Sequence, residues 1–492
     1  MRTSRLLLAL LFCIPLTVRA QGGPDFATYF QDTTLRLDYF HIGNSAEEIV
    51  TVDHVYRQGP WAGNPHHLID PLGYGRYTVM VYDSATGRPI FSKGYDSYFG
   101  EYKTTGPARN GIRRTYHETV LTPFPRRTIR LVIAFRDRSS NATSLLSAFI
   151  DPSDYHINTE TPRRGDEIIE AVRNGPPGEK VDIVIIGEGY TAGERDKFRK
   201  DLDRFTGIFF SMEPYKSGKS KFNITGIFTP SPESGVDEPR QGSYRHTALG
   251  ASFNSLDSDR YLLVEDNKTL RDIAAQVPYD VMMVMVNSTR YGGGGFYGYY
   301  SAFTSDGPWS DYVFQHEFGH AFGGLADEYY TSDVTYEDFY PAGVEPPEPN
   351  ITRMLDPAHL KWGDLLSPGL PVPTPWGRER YDSLSEARDR NAEEQRNVIE
   401  KLRREGVGRD SIAHVEERFR GEGKELNDEL VRFMEDHPLR GKVGAFEGGG
   451  YLAKGMYRPT VNSIMNQFTK ADRSFYPVNE EAIWRVIDYY TR

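Results

Sequence analysis

The stretch from Tyr312 to Tyr330, Tyr-Val-Phe-Gln-His-Glu-Phe-Gly-His-Ala-Phe-Gly-Gly-Leu-Ala-Asp-Glu-Tyr-Tyr, constrains the fold more than any other part of the chain. Read as a helix, it is apolar around much of its circumference through Tyr312, Val313, Phe314, Phe318 and Phe322, so it belongs in a core. Yet it carries two imidazoles and a carboxylate with it. His316 and His320 stand one turn apart on one face, so both rings can meet a single metal ion, with Glu317 beside that ion to hold a water as general base. Gly319 leaves room for close backbone approach, and Gly323-Gly324 is a stop at which the chain can take positive φ and turn back. The segment after that turn is expected to supply a third ligand.

In the metzincin pattern His-Glu-x-x-His-x-x-Gly-x-x-His/Asp, the third ligand falls six residues after the second histidine, which here is Ala326, a residue that cannot bind metal. Counting from Gly324 instead of Gly323 restores Gly-x-x-Asp and selects Asp327. Glu328, with its longer reach, is the rival, and a glutamate from a later helix, as in gluzincins, would displace both. Two imidazoles, one carboxylate and an open position suit Zn2+ best among divalent ions. Further along, Ser463-Ile-Met465 resembles the methionine-containing turn that underlies the metal in metzincins, which places Met465 beneath the site. Tyr457, ahead of that turn, is a candidate second oxyanion donor.

The N-terminus reads differently. Arg2 and Arg5 precede an apolar run from Leu6 to Val18, with Ala20 in position for cleavage, so residues 1–20 read as a signal peptide. A membrane anchor needs about 20 apolar residues, and this run is shorter. No other segment approaches that length, so no integral membrane segment is expected after cleavage. The protein is then exported, to the periplasm, the cell surface or the medium. Cys13, the only cysteine, lies inside the segment to be removed, so the mature chain has no thiol for catalysis, metal binding or disulfides. Lipidation at Cys13 is disfavoured by bulky Phe12. With 69 acidic against 58 basic residues and no long basic run, the chain has little with which to neutralise phosphates, which argues against nucleic acid as a partner.

From residue 21 to about 160 the pattern is β. Leu35, Leu37 and Tyr39 alternate with Arg36 and Asp38, Ile129, Leu131, Ile133 and Phe135 repeat at period two, and Asp83-Ser-Ala-Thr-Gly87 reads as a turn. An antiparallel sandwich is expected there. A passage rich in proline, glycine and charge leads to a second domain, 161–492, where Val181–Ile186 and Val281–Val286 read as buried strands. Between them Thr191-Ala-Gly-Glu194 fits a capping box that opens a helix with Phe198, Leu202 and Phe205 on one face. Residues 377–436 hold 30 charged residues in 60 and read as a helical insertion with narrow apolar stripes. Two nucleotide-binding readings fail: Ser217-Gly-Lys-Ser220 has Glu213 where a phosphate loop needs its first glycine, and Gly292 to Gly295 lack the spaced dinucleotide pattern and read as a mobile loop.

Taken together, His316 to Tyr330, Ser231 to Pro239, His246 to Phe253, Gly292 to Phe296 and Gly455 to Pro459 resemble the bacterial IgA-peptidase-like zinc metallopeptidases, exported proteins with an N-terminal β domain and a metzincin-like catalytic domain. That resemblance implies an α+β chain and endopeptidase activity on a protein or peptide substrate, without making immunoglobulin A the substrate. The rival reading is an exported glycan- or protein-binding module in which the metal only staples the fold.

Overall fold

The computed structural model describes residues 23–136, 142–160, 165–330, 340–466 and 474–491. The expected signal peptide lies outside them. Helix α1 (Phe26–Tyr29) leads into strands β1 (Phe30–Gly43), β2 (Glu48–Gln58), β3 (Tyr77–Asp83) and β4 (Pro89–Tyr95). Two short helices, α2 (Tyr98–Tyr102) and α3 (Gly106–Arg109), precede β5 (Arg114–Pro125), β6 (Ile129–Arg136) and β7 (Ala142–Ile150). These strands make two antiparallel sheets, ordered β2-β1-β5 and β4-β3-β6-β7. Because side chains alternate along a strand, Leu35, Leu37 and Tyr39 of the first sheet face Val79, Val81, Leu131 and Ile133 of the second across one apolar core. The Asp83–Gly87 turn closes where the Gly87 N–H donates to the Asp83 carbonyl at 2.8 Å.

The chain continues through β8 (Glu167–Val172), β9 (Val181–Glu188), α4 (Arg195–Phe209), β10 (Phe222–Phe228), the short pair β11 (Ala251–Ser252) and β12 (Leu263–Val264), and α5 (Asn267–Ala274). Then come β13 (Val281–Val286), β14 (Gly293–Phe296), β15 (Tyr300–Thr304) and α6 (Ser310–Ala321). A six-stranded sheet runs β14-β15-β13-β9-β10-β8, with the four inner strands parallel and both edge strands antiparallel to their neighbours. Val181–Ile186 and Val281–Val286 are nearly continuous in apolar residues because both faces of this sheet are covered. Helices α4 and α6 pack on one face. The other face meets α5 and, from the sandwich, the aromatic residues Tyr98, Phe99 and Tyr102 of α2. Thus the two halves share a core, and the chain is mixed, with several antiparallel sheets beside a mainly parallel one.

Two local expectations hold in detail. The Thr191 N–H donates to Glu194 Oε2 at 2.8 Å, completing the capping box ahead of α4, whose Phe198, Leu202 and Phe205 are buried. Residues 377–436 form a helical hairpin, α7 (Arg378–Arg404) and α8 (Arg409–Glu435). Each helix has 27 residues, about 40 Å at 1.5 Å per residue. Its foot is held by Trp376, Tyr381, Leu384, Leu430 and Met434. A β-hairpin of β16 (Phe446–Gly449) and β17 (Leu452–Arg458) and a C-terminal helix α9 (Tyr476–Thr491) complete the described chain, and α9 joins α4 and α6 on the sheet. No helix of the described residues is long and apolar enough to cross a membrane.

One expectation is corrected. Gly292 to Gly295, read as a mobile loop, contribute most of the edge strand β14. The reason is packing. α6 lies so close on this strand that a Cβ on Gly293 would stand 2.6 Å from Val313 Cγ1, and one on Gly295 would stand 2.7 Å from the Glu317 carbonyl oxygen. Side chains would force helix and strand apart.

Candidate metal centre

Helix α6 is buried along nearly its whole length, and its last turns bring His316 and His320 together. Their Nε2 atoms lie 3.1 Å apart with the rings at 89° to each other. Each ring is fixed by its other nitrogen. His316 Nδ1 lies 2.9 Å from the Ile464 carbonyl oxygen and His320 Nδ1 lies 2.6 Å from that of Leu325. A carbonyl can only accept, so both Nδ1 atoms carry the hydrogen and both Nε2 lone pairs point inward.

Past the helix, Gly324 takes φ of +62°, the left-handed turn that reverses the chain. Counting from this glycine brings Asp327 to the imidazoles. Its Oδ1 stands 3.2 Å from His316 Nε2 and 3.3 Å from His320 Nε2, and this buried oxygen has no hydrogen-bond partner. Its Oδ2 accepts from the Tyr329 hydroxyl at 2.9 Å and from the Tyr451 hydroxyl. The carboxylate thus keeps one oxygen for the phenols and presents the other to the rings. Ligands bonded tetrahedrally at zinc distances stand about 3.3 Å from one another, so the three edges of this triangle fit such an ion. With both imidazoles neutral, three acceptors face inward and attract positive charge, either a metal ion or, without one, a proton on His320. Without an ion, Asp327 outweighs the effect of burial on His320 and holds its pKa up at about 9, and the two imidazoles hold Asp327 well below the usual carboxylate range despite its burial.

Glu317 lies on the floor of the same cleft but outside the triangle. Burial pushes its pKa up, and the neighbouring imidazoles pull partly against that shift. Glu328, the rival third ligand, points elsewhere. Its Oε1 accepts from Asn350 at 3.0 Å and Asn479 at 2.8 Å, and its Oε2 accepts from Ser463 at 2.7 Å, so it ties the post-helix loop to the methionine turn and to α9. Among the described residues no later glutamate joins the two histidines.

Met465 lies beneath the helix, fully buried. A Cβ on Gly319 would stand 2.8 Å from its sulfur and 3.0 Å from Phe475 Cε1, which explains the glycine between the two histidines. The turn also supplies the Ile464 carbonyl that fixes His316, and the Met465 carbonyl accepts from the Glu328 N–H at 2.7 Å.

Tyr457 is not at the site. β17 pairs its backbone with Thr352, and its ring packs with Leu360 and Trp362, away from the cleft. The phenols that reach the centre are Tyr329 and Tyr451, which the sequence reading missed, together with Arg260 and Asn350. Adjacency to Asp327 was the one signal available for Tyr329. Tyr451, Arg260 and Asn350 are far away in sequence and carry no local mark.

The cleft over the centre has a volume of about 1300 Å³. Arg76 and Glu101 of the sandwich line one side, Arg388 and Asn427 of the helical hairpin another, and Arg260 and Tyr291 stand near the edge strand. A buried His-His-Asp triangle beside a free glutamate, at the base of a cleft this large, defines the class: a hydrolase of the metallopeptidase type. Comparison with known families bears this out, matching IgA Peptidase M64 over residues 169–487 and Peptidase M64 N-terminus over residues 25–147. The chain belongs to the IgA Peptidase M64 family and is a peptidase, with proteins or peptides as substrates. A comparison with curated proteins finds no match.

Proposed function

We propose that the protein is an exported zinc endopeptidase in which His316, His320 and Asp327 hold the metal and Glu317 is the general base. The observation that carries this reading is the triangle of acceptor atoms, one of them an unpaired buried carboxylate oxygen, beside Glu317 on the floor of an open cleft. Zinc in that triangle would polarise a peptide carbonyl and acidify a water. Glu317 takes the proton of the attacking water and passes it to the leaving amine, so one carboxylate serves both halves of the reaction. The Ile464 and Leu325 carbonyls keep the imidazoles in the inward tautomer throughout, and Tyr329 and Tyr451 hold Asp327 in place.

The edge strand supports an extended substrate. Gly293 of β14 is bonded on its outer side to Arg260 and Leu262, whereas Gly295, two residues on, turns its N–H and C=O to the same side with no backbone partner among the described residues. A peptide pairing there lies against Glu317. The route of export rests on residues 1–20 alone.

Purified mature protein, incubated with denatured proteins with and without a chelator, tests the reading. Cleavage that stops on chelation and returns with Zn2+ supports it. No cleavage by protein carrying one equivalent of zinc favours a binding module with a structural metal.

A further inference from the structure

Arg260 is a cation on the cleft floor without an anion of its own. Of the other arginines that line the cleft, Arg76 is paired with Asp96 and Glu101, Arg240 with Asp257 and Asp259, and Arg388 with Asp389, while Arg109 of α3 is exposed to solvent. Arg260 has no carboxylate oxygen within 4.0 Å among the described residues. Its partners are phenols: Nη2 donates to the Tyr329 hydroxyl at 3.1 Å, and Tyr291 also bonds to it. A half-buried guanidinium with neutral partners keeps most of its capacity for an anion, and its planar donors match a carboxylate. A divalent ion held by His316, His320 and Asp327 would cancel the charges of Asp327 and Glu317 and leave that of Arg260 uncompensated.

Its position sets the register. The Arg260 carbonyl accepts from the Gly293 N–H at 3.3 Å, so its backbone is tied to β14 two residues before Gly295, where a Cβ would stand 3.2 Å from Glu317 Oε2. Two residues of extended chain span about 7 Å. We infer that Arg260 determines specificity by receiving a carboxylate of the substrate, from an acidic side chain or a free C-terminus, within about two residues of the scissile bond. This rests on the peptidase reading above.

The test uses a library of proteome-derived peptides digested by the zinc-loaded protein, with products sequenced by mass spectrometry, and a duplicate library with amidated C-termini. The expected result is enrichment of Asp and Glu, or of the free C-terminus, by roughly tenfold at one position near the cut. Arg260→Gln should abolish the enrichment and Arg260→Lys restore part of it. Loss of the preference on amidation identifies the C-terminus as its source, and persistence identifies the side chain. Binding gives a readout apart from turnover: a selected acidic peptide should bind zinc-loaded Glu317→Gln at least tenfold more tightly than its Asp→Asn or Glu→Gln counterpart, and the difference should vanish when Arg260→Gln is added. Tyr329→Phe keeps the guanidinium and should keep the preference. Cleavage without any acidic preference overturns the assignment while leaving the peptidase reading intact. So does an Arg260→Gln variant that loses zinc and all substrates equally, which would make Arg260 a support for Tyr329. A wild-type protein that holds zinc and cuts nothing sinks the peptidase reading itself.

Discussion

His316, His320 and Asp327 on the cleft floor and Asp38, Asp53 and His117 on the sandwich offer the same residue types, each trio with donor atoms within 4.8 Å of one another. Hydrogen bonding separates them. In the cleft both Nδ1 atoms face carbonyls, and Asp327 leaves one oxygen unpaired. On the sandwich, Asn267 donates its amide to His117 Nδ1 at 3.0 Å. That amide cannot be turned round, because Asn267 Oδ1 accepts from Arg271 and from Tyr299. His117 Nδ1 is therefore the acceptor, and Nε2 carries the hydrogen toward Asp53 at 3.4 Å and Asp38 at 3.6 Å. Asp38 is already engaged: Arg36 forks onto both its oxygens at 2.7 and 2.6 Å, and Thr119 adds a third bond at 2.6 Å. An N–H and an occupied carboxylate make an ion-pair seam between sandwich and α5, whereas two lone pairs and a free oxygen make a cation site. Residue type and spacing do not decide between them; the partners of the far atoms do.

The comparison can be broken in four ways. The largest effect is expected from Glu317→Gln, which should keep one equivalent of metal by elemental analysis while cleavage falls roughly a thousandfold or more. Turnover near the wild-type rate would remove Glu317 from the chemistry. Next, alanine at His316 or Asp327 should reduce bound metal from one equivalent to near none, and His117→Ala should leave it at one. Metal lost from the His117 variant would make the sandwich trio the true site. Third, Arg36→Leu should destabilise the fold by about 3–5 kcal/mol in denaturant titration, because Asp38 is left charged and buried, with metal content unchanged. A smaller loss would show that Asp38 finds another partner. Smallest is Gly319→Ala, about 1–3 kcal/mol for forcing a methyl group against the Met465 sulfur. An unaltered midpoint would mean that the methionine turn yields without strain.

Much of this was legible in the sequence. Continuous apolar strands, the Thr191–Glu194 box, the charged hairpin and the imidazole pair are local patterns, and local spacing is enough to read them. Asp327 was readable only as one of three choices, because a one-residue shift at the turn depends on which glycine takes positive φ, and Gly324 does. The glycine run misled for the opposite reason. Glycine lowers strand propensity in isolation, and here the closeness of α6 demands it. Tyr457 was misplaced because nearness in sequence to the methionine turn is not nearness in space.

The sequence by itself determined that a histidine-bearing helix must be buried, that its two rings share a face, and that no cysteine outside the first twenty residues supplies a thiol. Those are consequences of helical periodicity and composition. Only the tertiary structure decided which carboxylate completes the triangle and which ties down the loop. It also decided which tyrosines hold Asp327 and that the half-buried Arg260 has phenols and no carboxylate as its partners. Each of these depends on groups brought together from distant parts of the chain, and hydrogen bonds and charges act over a few ångströms of space whatever the separation in sequence.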